Sequence, residues 1–144
     1  MTKKRFDFLE HTADAYIAAY GENIEEAFEN AAYATFEVMT DVDKVEPKIE
    51  DFVEVKANDE LALLYNWLEE LLIKFDITGN LYSRFKISSL ETVSNGFELK
   101  AKIWGEPFNP EKHPQKVGIK AVTYHRMEIK KKRRLVTIKF ILDL

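Results

Sequence analysis

Three side chains that can bind a metal ion lie close together near the amino end of the sequence. Glu10, His11 and Asp14 fall within the five-residue segment Glu-His-Thr-Ala-Asp. The sequence has no cysteine, which excludes disulfides, thiolate nucleophiles and cysteine-based zinc sites. Any metal bound here would therefore be held by carboxylate, carbonyl or imidazole ligands.

A second acidic group stands near the other end of the sequence. Residues 135–144 alternate between apolar and polar types, as a strand with one buried face does. The apolar residues of that face are Val136, Ile138, Phe140 and Leu142. Asp143 falls on the opposite face, and we expect the next residue, Leu144, to add a terminal carboxylate.

Asp14, Asp143 and Leu144 are candidate ligands for one metal site. Carboxylates and main-chain oxygens are hard ligands, which suit calcium, magnesium or manganese. Together the three residues supply about three negative charges, which repel one another unless a cation or a basic group intervenes. The alternative is structural: Asp14 caps a turn before a strand and Asp143 is simply solvated, because the sequence alone does not bring the two together.

Two further histidines lie in the second half of the sequence. His125 falls in a predicted strand, residues 119–130, where alternation places it among apolar residues. A histidine in that setting is more often a hydrogen-bonded core residue than a ligand or a base. His113 lies in a long proline-containing loop, residues 105–118, and the pattern indicates no role for it.

Two amphipathic helices are predicted in the first half. The first begins after Asn23, a good N-cap, and Glu26 three residues later completes a capping box. The second begins after the Asn-Asp pair at 58–59. Its predicted apolar stripe comprises Leu61, Leu64, Tyr65, Leu68, Leu71, Leu72 and Phe75. Trp67 falls outside that stripe, so we expect it at the edge or partly exposed, where it would suit a protein contact.

The remaining segments have the character of strands. They are residues 15–20, 51–57, 81–90, 97–104, 119–130 and 135–144, with a hairpin turn at Asn95 and Gly96. Two helices that interrupt a mostly antiparallel run of strands predict an α+β fold with both helices packed on the sheet. The length of 144 residues predicts a single domain over residues 1–144.

Composition and missing motifs exclude several classes of protein. The formal net charge is −4, which excludes a generally basic nucleic-acid binder. The basic run at residues 130–134 is most simply a charged hairpin turn, and a phosphate-contacting patch is the alternative. With no apolar run of membrane-spanning length and no signal-peptide core, we expect a cytoplasmic protein. Walker, Gly-x-Ser-x-Gly and His-Glu-x-x-His motifs are absent, so no self-sufficient active site is predicted.

Several segments together resemble the archease family. Residues 10–14 are similar to its amino-terminal signature, and residues 23–36 and 64–72 are similar to its two helices. Residues 120–125, Lys-Ala-Val-Thr-Tyr-His, and the closing pair at 143–144 match in the same order. The resemblance therefore covers essentially the whole chain.

The resemblance implies a protein that activates the RNA-splicing ligase of transfer-RNA maturation and is not itself an enzyme. Archeases promote guanylylation of that ligase and its multiple turnover, so transfer RNA would be contacted only indirectly and no membrane would be involved. The resemblance also implies a calcium-type site whose ligands map to Asp14, Asp143 and the Leu144 main-chain oxygen. His11, Lys120 and His125 are secondary candidates, which would brace the site or contact the ligase.

Three alternatives stay open on the sequence alone. The first is a chaperone or specificity factor for a transfer-RNA methyltransferase. The second is a stand-alone metal-dependent phosphoesterase, that is, a nuclease or a phosphatase, although no convincing base and nucleophile are present. The third is a small structural domain whose acidic end has no role.

Overall fold

The computed structural model describes residues 4–9 and 14–144. The described residues form two α-helices, Ile24–Met39 (α1) and Glu60–Thr78 (α2), and a short 3-10 helix, Val42–Lys44. They also form eight strands: β1 Phe6–Leu9, β2 Ala15–Gly21, β3 Ile49–Ala57, β4 Asn80–Val93, β5 Gly96–Pro107, β6 Ala121–Val122, β7 Glu128–Lys132 and β8 Leu135–Asp143. No helix in the described ranges has the length and apolar character needed to cross a membrane.

The strands form two antiparallel sheets. The larger sheet has the order β1-β2-β8-β6, with β7 also paired to β8, and the smaller sheet has the order β3-β5-β4. Helix α1 packs on β2 and β8 of the larger sheet and on β4 of the smaller one, and α2 also contacts strands of both. The predicted α+β class is confirmed, with the helices packed on two antiparallel sheets where the sequence suggested one.

Helix α1 begins as its sequence predicts. The Asn23 side chain accepts a hydrogen bond from the Glu26 backbone N–H at 2.8 Å. The Glu26 carboxylate accepts in return from the Glu22 backbone N–H, one residue before the expected partner. The face packed on the sheets is built mainly of small side chains, including Ala27, Ala31, Ala32 and Ala34. Small residues allow close approach between the helix and both sheets.

Helix α2 is rotated about its axis relative to the prediction. Its buried residues are Leu63, Leu64, Trp67, Leu68 and Leu71. Leu61 is exposed, and the prediction that Trp67 is at the edge or partly exposed is wrong, because its side chain is 0% exposed. Its indole N–H donates to the Phe28 carbonyl of α1 at 2.9 Å, a bond that ties the two helices together. Burying indole with its polar group satisfied stabilises this orientation of the helix.

The predicted strand at residues 119–130 is interrupted. Val122 pairs with Leu142 and Glu128 pairs with Lys139, so five residues, 123–127, lie opposite two residues of β8. The extra residues form a tight turn, closed by a hydrogen bond from the Met127 backbone N–H to the Tyr124 carbonyl at 3.1 Å. The expected placement of His125 on an apolar core face is therefore wrong, and the residue is exposed.

Strand β1 was not among the predicted strands. It pairs with β2 in a register that places Phe6 opposite Ala19 and Asp7 opposite Ala18. The Tyr20 hydroxyl donates to the Asp7 carboxylate at 2.7 Å on the outer face of the sheet. With only four residues, β1 is too short for periodicity to indicate it; pairing with β2 defines it.

Candidate functional site

The register of β2 and β8 brings two predicted ligands together. The two strands are antiparallel, and the last pair of the ladder at this end joins Ala15 to Leu142. The next residues along the two strands are Asp14 and Asp143, which therefore stand at neighbouring positions. Directly opposite residues of an antiparallel pair project from the same face. The register thus places the backbones of Asp14 and Asp143 side by side at one corner of the larger sheet.

Strand β6 adds Lys120 to the same corner. Ala121 pairs with Asp143, and the Lys120 backbone N–H donates to the Asp143 carbonyl at 2.7 Å. Lys120 therefore lies beside Leu144, which is partly buried against the core. Three strands from distant parts of the sequence converge here. We call Asp14, Lys120, Asp143 and Leu144 the acidic corner.

The acidic corner has oxygen ligands of the kind that hard divalent cations take. Its side-chain ligands are two carboxylates, and the Leu144 main-chain oxygen follows directly in the chain, a set suited to calcium, magnesium or manganese. Within residues 4–9 and 14–144 no group of three or more acidic, histidine or cysteine side chains is gathered for a metal. His11 lies outside the described residues. The ligand set of Asp14, Asp143 and Leu144 therefore stays a prediction.

The turn between β6 and β7 presents aromatic and basic side chains. Tyr124 is 54% exposed, and its ring stacks on Tyr65 of α2 with centroids 4.3 Å apart and an interplanar angle of 5°. Arg126, with a positive φ of 56°, places its guanidinium carbon 6.0 Å from the Tyr16 ring centroid. His125 lies in this exposed turn, so it is available to contact a partner. It is not paired with β8, and it is not a member of the acidic corner.

A buried polar cluster holds the long loop that leads into β6. His113 is 1% exposed, and its Nδ1 accepts from the Asn109 backbone N–H at 2.9 Å. Because Nδ1 carries no proton in that bond, Nε2–H donates to Glu106, 2.9 Å away. Glu106 also accepts from the Glu46 backbone N–H and from the Lys112 ammonium group. Sequence reasoning assigned no role to His113, although His113 and the Gly-Glu pair at residues 105–106 both fall among the segments that resemble the family.

Further contacts fix the end of this loop against α1. The Lys116 backbone N–H donates to the Met39 carbonyl at 3.0 Å. The Lys116 ammonium group lies 2.9 Å from an Asp41 carboxylate oxygen and 3.2 Å from one of Glu37. The loop is therefore held at both its beginning and its end, and this fixes where Lys120 enters the acidic corner.

Acid should destabilise the protein through Glu106. Burial alone would raise the pKa of its carboxyl group, but hydrogen bonds from the Glu46 backbone, Lys112 and His113 outweigh burial and lower the pKa to about 2 from the ordinary 4.5. A carboxylate with a lowered pKa stabilises the folded state above its unfolded pKa, and this contribution is lost as the pH falls from about 4.5 toward 2. Urea unfolding across this range should show the decline, and Glu106→Gln should flatten it. A free energy of unfolding equally pH-dependent in both proteins would contradict this assignment.

The basic run at residues 130–134 comprises the end of β7 and the hairpin turn that leads into β8, which agrees with the predicted turn. Arg134 has a positive φ of 61° within the turn. Lys131 lies 2.6 Å from Glu60 of α2, and Lys130 lies 3.5 Å from Glu128. These ion pairs support the simpler interpretation, a charged turn.

Comparison with known proteins identifies the family. The sequence matches the archease protein family (MTH1598/TM1083) over residues 6–144, which includes every strand and helix described above. The chain belongs to the archease family. Archeases from Sulfurisphaera tokodaii and Pyrococcus abyssi are 45% and 48% identical over 98% and 89% of this chain, and over 99% and 89% of their own length.

Solved archease-family structures have the same fold. Protein 1598 of Methanobacterium thermoautotrophicum is 41% identical, with a TM-score of 0.82 over 96% of this chain and 98% of that one. An archease of Thermotoga maritima, named as a possible chaperone, has a TM-score of 0.62 over 100% of this chain and 98% of its own. At 19% identity, that second likeness concerns the fold alone.

Proposed function

We propose that this archease activates an RNA-splicing ligase by presenting a divalent cation at the acidic corner. The observation that carries the proposal is the strand register that brings Asp14 to the position beside Asp143, in a chain that matches the family from residue 6 to residue 144. The proposed cation is calcium, with magnesium and manganese as the alternatives. The protein acts as a binding partner and is not an enzyme.

Each residue of the acidic corner has a distinct part in this proposal. Asp14 and Asp143 would hold the cation through their carboxylates, and Leu144 through its main-chain oxygen. The Asp143 carbonyl already accepts the Lys120 backbone N–H, so the exposed Asp143 side chain is the group available to a ligand. When bound, a divalent cation supplies positive charge that neutralises phosphate oxygens. Lys120 would add a second positive charge directed at the same phosphates.

The contacts of the surrounding loop support a preformed docking surface. Lys120 reaches the acidic corner at the end of a loop anchored by His113 and Lys116, so little ordering is required when a partner binds. The exposed Tyr124 and His125 lie on the turn that follows β6. An exposed, stacked tyrosine is well suited to anchor a protein contact near the nucleotide pocket of the ligase.

A guanylylation assay of the cognate ligase tests the proposal. The ligase is incubated with labelled GTP, with and without this protein, and covalent guanylate and ligated RNA are both counted. We expect faster guanylylation and more than one ligation per ligase molecule, and we expect chelation of calcium before mixing to reduce the effect. An unchanged ligase would contradict the proposal. Phosphoester cleavage by the purified protein alone would favour the enzyme alternative.

A further inference from the structure

The outer face of the smaller sheet carries aromatic and basic side chains. Along its central strand β5, Leu99, Ala101 and Ile103 are buried against the helices. The intervening residues, Lys102 and Trp104 among them, project from the opposite face. That face is not covered by either helix, because the helices pack on the buried side. It is thus a surface open to a ligand.

Strand register arranges this face in two adjacent rows. Phe52 of β3, Lys102 of β5 and Lys86 of β4 are directly opposite one another. The neighbouring row, two residues along, places Trp104 between Glu50 and Arg84. We call Phe52, Arg84, Lys86, Lys102 and Trp104 the aromatic–basic face. Its members come from three strands, so the hydrogen bonding of the sheet fixes their spacing.

No ion pair within 4.0 Å joins the three cations of this face to a carboxylate in the part of the chain that the structure describes, although Lys86 is near enough to Glu29 of α1 to interact with it electrostatically. Lys86 and Lys102 are opposite each other, and like charges in that position destabilise a sheet. Elsewhere on the same face, Lys56 and Lys100 pair with Glu98 at 3.3 and 3.9 Å. The unpaired cluster is therefore local, and it stands out in a protein of net charge −4. It favours an anionic ligand.

The aromatic members of the face are open to stacking. Phe52 is 51% exposed, a large apolar area for a side chain flanked by charges. The Arg84 guanidinium carbon lies 4.7 Å from the Trp104 ring centroid, so Arg84 covers one face of this partly exposed ring and the two side chains act as one unit. Phe52 and Trp104 are diagonal neighbours on adjacent strands. The Cα atoms of residues in such positions are typically about 7 Å apart. Sheets that bind RNA use aromatic side chains in this way to stack two or three successive bases.

We propose that the aromatic–basic face binds single-stranded RNA. Bases stack on Phe52 and on the Arg84–Trp104 unit, while Lys86 and Lys102 contact phosphates. Charge complementarity selects a polyanion, and the paired aromatic surfaces select one that also carries planar bases. Glu50 is opposite Trp104 in the same row, so the phosphates of the bound strand must lie on the side of Lys86 and Lys102. The RNA contact expected to be only indirect is direct in this proposal.

Tryptophan fluorescence gives a direct test, because the protein has two tryptophans in different settings. Trp67 is fully buried and hydrogen-bonded between the helices, so its emission should not respond to a surface ligand. Stacking of a base near Trp104 should quench emission. The titrant is a single-stranded RNA of about 12 nucleotides, within the length that such surfaces contact. Its duplex and polyglutamate are the comparison ligands, and neither should quench.

Matched double variants test the charges. Lys86→Gln with Lys102→Gln should lower the slope of log affinity against log salt by about 1.4, or about 0.7 for each phosphate that is no longer neutralised. Lys56→Gln with Lys100→Gln removes the same charge from the same sheet at ion-paired positions and should leave the slope nearly unchanged. Phe52→Leu should weaken binding about fivefold or more, because a base can no longer stack at that position. Thermal melting of each variant identifies any loss of folding.

The proposal would be overturned by the absence of quenching by RNA, by equal loss of affinity in both double variants, or by polyglutamate binding as tightly as RNA. The last result would point to an acidic protein partner. The proposal does not depend on the acidic corner, so ligase activation that fails while RNA binding persists would reject only the proposed function. Quenching unaffected by Phe52→Leu in a well-folded protein would also reject the stacking arrangement.

Discussion

Asp143→Asn is expected to abolish ligase activation while the protein remains folded. The change keeps the size of the side chain and removes the negative charge that the proposed cation requires. Asp143 is exposed and makes its ladder contacts through the backbone, so the strand pairing of β8 with β2 and β6 should be retained. Loss of a charged ligand should lower stimulation by at least about tenfold at limiting calcium. The guanylylation rate of the ligase is the measurement.

Asp76→Asn is the matched control for this variant. Asp76 is an exposed aspartate near the end of α2, so the same chemical change is made away from the acidic corner. Calcium should raise the melting temperature of the wild type and of Asp76→Asn, because a ligand that binds only the folded state stabilises it. Asp143→Asn should show little rise, and Asp14→Asn should behave in the same way. Wild-type stimulation by a well-folded Asp143→Asn protein would contradict the metal-dependent mechanism.

Glu106→Ala is expected to lower the stability of the protein strongly, because Glu106 anchors the loop that leads into β6. Glu106 and His113 are both buried. The Glu106 carboxylate accepts hydrogen bonds from His113, from Lys112 and from the Glu46 backbone N–H. Removing it leaves the His113 Nε2–H and the Glu46 backbone N–H without their acceptor, whereas Lys112 keeps its contact with the Glu46 carboxylate. Loss of one partner from a buried charged network costs about 3 kcal/mol or more. For a protein of this size the melting temperature should fall by roughly 10 °C.

The matched control for Glu106→Ala is Glu111→Ala in the same loop. Glu111 is exposed, so its replacement should change the free energy of unfolding by less than about 0.5 kcal/mol. Amide hydrogen exchange should be faster at residues 108–120 in Glu106→Ala, since these residues lose their anchor. Uniform exchange across the protein, with no local effect in this loop, would mean that the cluster stabilises the fold without holding the loop.

Local signals predicted the first helix and the hairpins well. The start of α1 depends on side chains within four residues of one another, mainly Asn23 and Glu26. The local sequence is therefore sufficient to predict where this helix begins. The turn between β4 and β5 likewise follows from the Ser-Asn-Gly segment, and Gly96 adopts a positive φ of 143° there. Strand β8 shows its buried face by alternation alone.

Tertiary contacts decided the features that the sequence pattern missed. Helix α2 is apolar over much of its circumference, so periodicity did not select its buried face; in the folded protein that face includes Trp67, whose indole N–H donates to the Phe28 carbonyl. The edge strand at residues 119–130 looked continuous because its alternation persists through the turn at Tyr124–Met127. The role of His113 depends on Glu106 and Asn109, which approach it only once the loop has folded.

The candidate site was only partly predictable from the residues. Alternation placed Asp143 on the outer face of its strand, and the segment at residues 10–14 drew attention to Asp14. Their proximity depends on the pairing of β2 with β8, which no local pattern specifies. The family resemblance supplied that link and also indicated Lys120. The aromatic–basic face was missed because its residues come from three separate strands and gather only through strand register.

The pairing of β2 with β8 also determines when the acidic corner exists during protein synthesis. Ile17 pairs with Phe140, so β2 cannot pair with β8 until almost all of this sequence has been synthesised. Contacts between such distant segments form late and slowly. Chains that end before β8 therefore lack the corner altogether, and under the proposed mechanism they cannot activate the ligase.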